Sequence, residues 1–491
     1  MSHGGAHILV QKDERYDKFF GALDALRQRL SSIPPGQKMD VKETHNVYFQ
    51  KEFRPFVPVT SIYNKIKPTG GLATNLTDAG GSLTFNLSSI GNFTSDICLS
   101  VKISEIKSPT PDVLLRYCAY PGIRLLENVQ LKSDLVVVDE YGPDDVISQS
   151  RFEVSSDQRE MWDRNMGQQQ TFRGSYYNVD HQEMFDYTNG IQTPQPTLPE
   201  INLFIPLQFW FCKDPEQALF NGTTTTTQRT ITIELAQLKY MISAWQINPD
   251  RPGGITRTKL PITSVKCEYT LLVNELCVMP EVYGHMCKNP YSLSLIRVHK
   301  KLSVNAKSQS ETILLDKFKF PTEYMTVRAK SKSLANDPDR WYLSGGLIQT
   351  EIIRAACYFT TANGNNLVAY NGIDVNRVSP VIKSLSLKAK GIEIYSSTSN
   401  EFYSNYLPSR YLQYTNNRQD CDQNISLVTF CLKPGQFDPS GYFNLKVGHE
   451  MNLEYTLMEG LNYEDYEIVV CISALNFLMT SGDLIKLKYS Y

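Results

Sequence analysis

The sequence predicts an all-β protein made of two tandem β-sandwich domains, and three observations carry that expectation. Alternating apolar and polar segments run through the chain from about residue 44. Polar, turn-forming stretches separate them, with little helical periodicity in between. A short segment is also echoed one domain length downstream. Phe209-Trp210-Phe211-Cys212-Lys213-Asp214-Pro215 returns as Val428-Thr429-Phe430-Cys431-Leu432-Lys433-Pro434. An alternating segment follows each copy, Thr230–Leu235 after the first and Tyr442–Val447 after the second. A period of roughly 220 residues matches one β-domain with large loops. Two eight-stranded jelly rolls would fill the 491 residues, and no shorter period of the propeller kind is visible.

Along the chain, residues 1–43 form an expected N-terminal arm. Within it Tyr16, Phe19, Phe20, Leu23, Leu26 and Leu30 recur at helical spacing over residues 13–30, and Pro34-Pro35-Gly36 ends the pattern. Burying six such side chains would gain on the order of 10 kcal/mol gross. This helix is therefore expected to dock, either beneath the protein's own base or on a partner protein or membrane surface. Its polar face is mixed in sign, which disfavours lipid. The first β-domain is expected over 44–243, a Pro/Gly-rich linker over 244–261 and the second domain over 262–491.

Half-buried strands are read at Leu83, Phe85 and Leu87, at Leu385 and Leu387, and at Leu453, Tyr455 and Leu457. Gly391 interrupts the second of these before Ile392 and Ile394. Leu203 to Phe211 is apolar on both faces and reads as one strand covered on both sides; Ile468–Ile472 reads the same way. Residues 142–200 and 396–425 are long polar loops of the kind that carry function or form outer decoration.

Composition narrows the function classes. Lys+Arg 49 against Asp+Glu 51 gives a net charge of −2, so no strong field favours nucleic acid or anionic lipid. No apolar run approaches the length of a membrane span and no signal-peptide pattern opens the chain, so folding in a cytosol is expected. The ten cysteines are scattered and read as free, mostly buried thiols. Even the evenly spaced Cys267, Cys277 and Cys287 lack zinc-ligand pairing. Asn-x-Ser/Thr tripeptides at Asn75, Asn86, Asn92, Asn221 and Asn424 matter only in a secretory compartment. No nucleotide, phosphate, zinc-protease or nucleophile-elbow motif is present. His299 is expected at a strand end in a structural role. The acidic pairs Asp139-Glu140, Asp144-Asp145 and Glu464-Asp465 read as solvated loop acids, although a two-carboxylate glycosidase stays open at this point. No catalytic, cofactor or metal site is expected.

Several segments, in order, resemble the major capsid proteins of African swine fever virus and related nucleocytoplasmic large DNA viruses. They are Met1–Ala6, Glu43–Phe49, Phe53–Val59, Tyr63–Pro68, Tyr120–Val129, Asp139–Tyr141, Ser294–Lys300, Pro321–Met325, Pro439–Gly441 and Ser473–Leu478. The resemblance implies a double jelly roll whose homotrimers form pseudo-hexagonal capsomers that tile an icosahedral shell over an internal membrane. It implies that the arm lies beneath the capsomer, against minor capsid proteins or that membrane, and that the long loops form an outer crown. It implies no direct contact with nucleic acid, and a place in the virion after assembly in the host cytoplasm. Residues 142–200 would be crown, shorter here than in the swine fever protein. Gly435-Gln436 and Lys446-Val447 depart from acidic and Ser-Arg positions common in that family, which removes specific inter-capsomer contacts from the comparison. Pro55, Phe56, Pro58, Trp210 and Phe211 are candidate inter-subunit contacts, with core packing the competing reading. Two other functions stay open: a minor capsid or penton component, and a carbohydrate-binding or carbohydrate-active jelly-roll protein.

Overall fold

A computed structural model describes residues 59–489 apart from 70–74, 88–90, 135, 169–174, 177–184, 187–194, 222–227, 248–254, 288–290, 339–340, 343–345, 361–365, 413–424, 437, 446–449 and 482–483. The arm with its amphipathic pattern, and Pro55, Phe56 and Pro58, lie outside the described residues.

Roll 1 has eight principal strands: β1 (Val59–Ile66), β2 (Gly81–Leu87), β3 (Phe93–Ile103), β4 (Leu126–Ser133), β5 (Val136–Tyr141), β6 (Ile201–Pro206), β7 (Arg229–Leu235) and β8 (Ser264–Val278). They form two antiparallel sheets in the orders β1-β8-β3-β6 and β2-β7-β4-β5. Roll 2 repeats the plan with β9 (Tyr291–Asn305), β10 (Ser310–Leu314), β11 (Pro321–Ser331), β12 (Ile382–Ala389), β13 (Ile392–Ser399), β14 (Ser426–Thr429), β15 (Met451–Leu457) and β16 (Tyr466–Ser481). Its sheets run β9-β16-β11-β14 and β10-β15-β12-β13. Each strand n of roll 1 thus has its counterpart n+8 in roll 2. Even the irregularities repeat. The β4–β5 hairpin bulges so that Lys132 faces Val137 and Leu131 faces Asp139, and β12–β13 sets Lys388 against Glu393 and Leu387 against Tyr395.

The period-two reading of the strands holds. Leu83 and Phe85 are buried on β2, Leu385 and Leu387 on β12, and Leu453, Tyr455 and Leu457 on β15, each facing the opposite sheet of its roll. Lys390 and Gly391 take positive φ of 50° and 77°, the two-residue turn that lets β12 and β13 pair tightly. Ile468–Ile472 of β16 is buried on both faces as read.

Three expectations change. The first roll does not end at 243: β8 pairs with β1 and β3, so its sheet is complete only at Val278. The expected linker 244–261 instead belongs to the β7–β8 connection. There Ile242–Ile247 and Ile255–Thr258 pair with each other, and the former pairs with Val113–Tyr117. The helix Pro280–Cys287 then leads into β9. Second, the doubly covered strand 203–211 stops at Pro206: the Leu207 amide makes one last bond to Ile97 O at 2.9 Å, and the chain then turns into the helical segment Trp210–Lys213. Phe204 is 43% exposed, so the strand is covered on one face only. Third, the alternating segment after each echo is not equivalent. Phe443–Asn444 pairs with β11 as Leu219–Phe220 pairs with β3, whereas the counterpart of Arg229–Leu235 is Met451–Leu457. The echo marks corresponding places in the two rolls, starting just beyond β6 in the first and at the end of β14 in the second.

Candidate functional site

The two rolls meet along a seam that holds a cluster of buried charged side chains, among them Asp139, Asp144, His299 and Arg328. The free edge of roll 1 supplies β5 and, after it, helix α1 (Pro143–Glu153) and helix α2 (Ser156–Asn165). Local chemistry starts both helices. Gly142-Pro143 opens α1, with the Gly142 amide donating to Asp145 Oδ2 at 3.0 Å. Ser155 Oγ caps α2 by accepting from the Gln158 amide at 3.3 Å. The α2 terminus closes on Gly167 at φ 79°, where Gln168 N–H reaches Asp163 O at 2.7 Å and Gly167 N–H reaches Arg164 O at 3.0 Å.

Opposite them stands the outer face of the β9-β16-β11 sheet. His299 lies in the middle of β9, not at a strand end; its amide donates to Asp139 Oδ1 at 2.8 Å and its Nδ1 sits 3.0 Å from Asp139 Oδ2. Burial would push the imidazole down, but Asp139 outweighs it and the His299 pKa lies above its ordinary value near 6.5. The other ring nitrogen meets the Gln149 amide. Asp144 binds Lys301 and Arg328, with Lys330 Nζ at 3.4 Å. Burial opposes its charge, yet Arg328, Lys330 and Lys301 together hold the carboxyl well below the usual carboxylate range. Glu153 accepts from Tyr324 Oη at 2.6 Å and from Lys213 Nζ at 2.6 Å, tying roll 2 to the first echo segment. Deeper in roll 2, Arg297 grips Glu323 with two guanidinium nitrogens, at 2.6 and 3.1 Å.

Farther along the seam, Trp341 of roll 2 is buried and its Nε1–H donates to Ala119 O at 2.8 Å. Arg124 lies between Trp341 and Tyr240, 4.9 and 4.8 Å from their ring centres, and donates to Ala335 O at 3.0 Å.

The expectation of solvated loop acids fails for Asp139, Asp144 and Asp145. All three are buried, because cations and amides from the other roll are there to receive two of them and α1 begins at the third. Trp210 and Phe211 are likewise buried, in a helical turn (Trp210–Lys213) whose rings stack on Phe209 and the roll 1 core. Residues 143–165, expected as crown, are the two seam helices. Among the described residues the arrangement forms no metal cluster. The seam cavity beside Asp145, Gln149 and His299 measures about 20 Å³, the size of one water. That cavity has no room for an organic substrate; a second one of about 360 Å³ opens where Val136, Val137 and Val138 of β5 face Val298, Lys300 and Phe320 of roll 2.

The same strand order in both rolls decides the architecture. The fold is the double jelly roll of viral major capsid proteins. Solved structures with this likeness include the Faustovirus major capsid protein, with a TM-score of 0.69 at 19% identity over 97% of this chain and 100% of that one. A quasi-atomic model of the PBCV-1 virus capsid gives 0.64 at 14% identity over 90% of this chain. In sequence, the chain is 24% identical to the hexon protein p72 of African swine fever virus (isolate Tick/Malawi/Lil 20-1/1983), over 651 aligned positions that cover all of both chains. It is also 24% identical to the major capsid protein of isolate Pig/Kenya/KEN-50/1950, with the same coverage. No protein-family model matches. The end-to-end likeness supports a structural role for this double jelly roll in the capsid of a large DNA virus. Of the segments that carried the resemblance, Tyr120–Val129, Asp139–Tyr141, Ser294–Lys300, Pro321–Met325 and Ser473–Leu478 all contribute residues to the seam.

Proposed function

We propose that the chain is a major capsid subunit whose homotrimers form pseudo-hexagonal capsomers, and that these capsomers tile an icosahedral shell. One observation carries the reading: two rolls with one strand plan are locked side by side, so each chain presents two similar units at a fixed angle. Three such chains place six similar rolls around an axis, which is the shape a hexagonal lattice requires. The rigid seam supports it, since a tile must keep the angle between its halves. The ion pairs that cross the seam, Asp144 with Arg328 and Lys301 and Asp139 with His299, support a structural subunit in which buried charge is spent on joining the two rolls.

The finer partners follow from the same reading. The amphipathic segment at Tyr16, Phe19, Phe20, Leu23, Leu26 and Leu30 would dock beneath the capsomer, on minor capsid proteins or an internal membrane, with assembly in the host cytoplasm. The long connections beyond β3, β11 and β13, including the hairpin Gly346–Thr360/Asn366–Pro380, and the part of the β5–β6 connection after α2 would form the outer crown. Sedimentation of the purified full-length chain tests this function: a stable trimer is expected, and a monomer that binds glycans would instead favour a carbohydrate-binding jelly roll. Deleting residues 1–40 is expected to leave trimers intact while impairing attachment beneath the shell.

A further inference from the structure

The cavity of about 360 Å³ at the joint between the rolls is large enough for a small organic molecule, and both rolls shape it. Roll 1 contributes Val136, Val137 and Val138 at the start of β5, the edge strand of its sheet. Roll 2 contributes Val298 from β9, Phe320 just before β11, and Leu487. Val138, Val298 and Phe320 are buried, whereas Val136 and Val137 are each 38% exposed. The apolar wall is therefore dry at its floor and wet at its mouth.

Hydrogen bonds fix the far wall. The short strand Leu484–Leu487 pairs with the end of β16, setting Leu487 opposite Leu478 and Lys486 opposite Met479. Beyond it, buried Asn476 donates to Tyr489 O at 2.8 Å and accepts from the Tyr489 amide at 3.0 Å. The Lys488 amide donates to Phe477 O at 2.9 Å. Asn476 and Tyr489 both line the cavity, so its shape is set before any ligand arrives.

The charge around it has one sign. Lys300 and Lys486 line the cavity, and among the described residues no acid does. Lys300 Nζ stands 5.7 Å from the centre of the Phe320 ring, and Lys488 Nζ lies over the rings of Phe477 and Tyr489. The acids that act on Lys300, Asp139 and Glu140 of β5, are engaged elsewhere. Asp139 holds His299, and Glu140 accepts from Asn128 and Gln130, each at 2.8 Å. Burial pushes the Lys300 pKa down more than those two acids raise it. An anion beside this ammonium would relieve that penalty.

We propose that the cavity takes one unbranched acyl chain with a free carboxylate, its tail between the β5 valines and Phe320 and its head at Lys300 and Lys486. The apolar walls select the hydrocarbon, and lysines with no acid beside them select the anionic head. A bilayer presents headgroups and withholds its tails, so the apolar walls point to a free fatty acid instead. The bound chain touches both rolls and braces the joint that fixes their angle. The site is complete within one chain and stands or falls apart from self-assembly.

Isothermal titration calorimetry of the full-length chain with octanoate, decanoate and decanol tests it. One decanoate per chain is expected, each added methylene between octanoate and decanoate tightening binding about fourfold. Decanol should bind at least tenfold more weakly than decanoate. Lys300→Met should weaken decanoate at least tenfold without weakening decanol. Val136→Trp, which fills the mouth, should abolish uptake of both; if thermal unfolding shows that it does not fold, Leu487→Trp fills the cavity from the opposite wall. Saturating decanoate should raise the unfolding temperature of the unaltered chain but not that of the tryptophan variant. Failure of the unaltered chain to bind decanoate overturns the assignment and leaves the cavity to another occupant, such as residues 1–58 of the chain itself. Equal affinity for decanoate and decanol overturns it, as does binding that survives the tryptophan substitution. Capture of phosphatidylserine vesicles without uptake of decanoate would make this surface a bilayer contact and overturn it as well.

Discussion

Asp144 shows how much of the inter-roll joint rests on single side chains. Its carboxylate is buried among Arg328, Lys301 and Lys330, and Arg328 has no route to solvent. Removing one member of a buried pair strands the other charge, at a cost of about 3–5 kcal/mol. Asp144→Asn should therefore lower unfolding stability by on the order of 3 kcal/mol in chemical denaturation; a loss below ~1 kcal/mol would mean the cluster is hydrated. His299 adds a pH dependence. Its folded pKa is raised, so its pairing with Asp139 stabilises fully below the ordinary value near 6.5 and fades as pH rises through the raised folded value. Stability should fall across that window, and His299→Gln should flatten the slope. Asp144 acts in the opposite direction: its folded pKa is lowered, so its contribution is present above the ordinary 3.8 and disappears only in strong acid. None of this could be read locally. An acidic pair in a polar stretch looks solvated unless the cations that bury it, more than 150 residues away, are known.

At the level of elements, what was legible followed the strength of the period. Strands with one wet face, such as those of Leu83 and Phe85 or of Leu453 and Tyr455, declare themselves by alternation. Helices α1 and α2 did not, because α1 buries Asp144, Asp145, Ser148, Gln149 and Ser150 on a charged seam and so has no apolar stripe. Their caps, Gly142-Pro143 with Asp145 and Ser155 with Gln158, were not read, because a short polar signal marks a helix start only when an apolar stripe follows it. The strand at 203–211 was overextended because the apolar run continues past Pro206 into a buried helical turn. Two glycines give a graded test of element ends. Gly391 and Gly167 both have positive φ, but a Cβ at Gly391 meets open space, whereas at Gly167 it would lie 2.6 Å from Pro121 Cγ and 2.8 Å from Leu203 Cδ2. Gly391→Ala should cost about 1 kcal/mol of strain alone. Gly167→Ala should cost more, roughly 2–3 kcal/mol, since overpacking adds to the same strain. Equal losses in thermal unfolding would contradict the crowding at the α2 terminus.

For the whole molecule, duplication was legible from the echo just beyond β6 and at the end of β14, while the boundary between the rolls was not. The Pro/Gly-rich stretch that reads as a linker is a β-structured connection, and the strand after it returns to the first roll. Sequence composition cannot reveal that return, because it depends on pairing with β3 more than 160 positions earlier. One hydrophobic core runs through both rolls, so neither is independent of the other. Residues 288–491 expressed alone would bare Arg328, Val469, Cys471 and Leu475, and should aggregate or stay unfolded; a soluble, folded fragment would contradict the seam's role. The central claim is that twin rolls fixed at one angle exist to meet their own copies. The native mass of the purified full-length chain tests it most directly: a particle of three times 55.8 kDa is the predicted result, and a lone chain at every concentration would contradict the account.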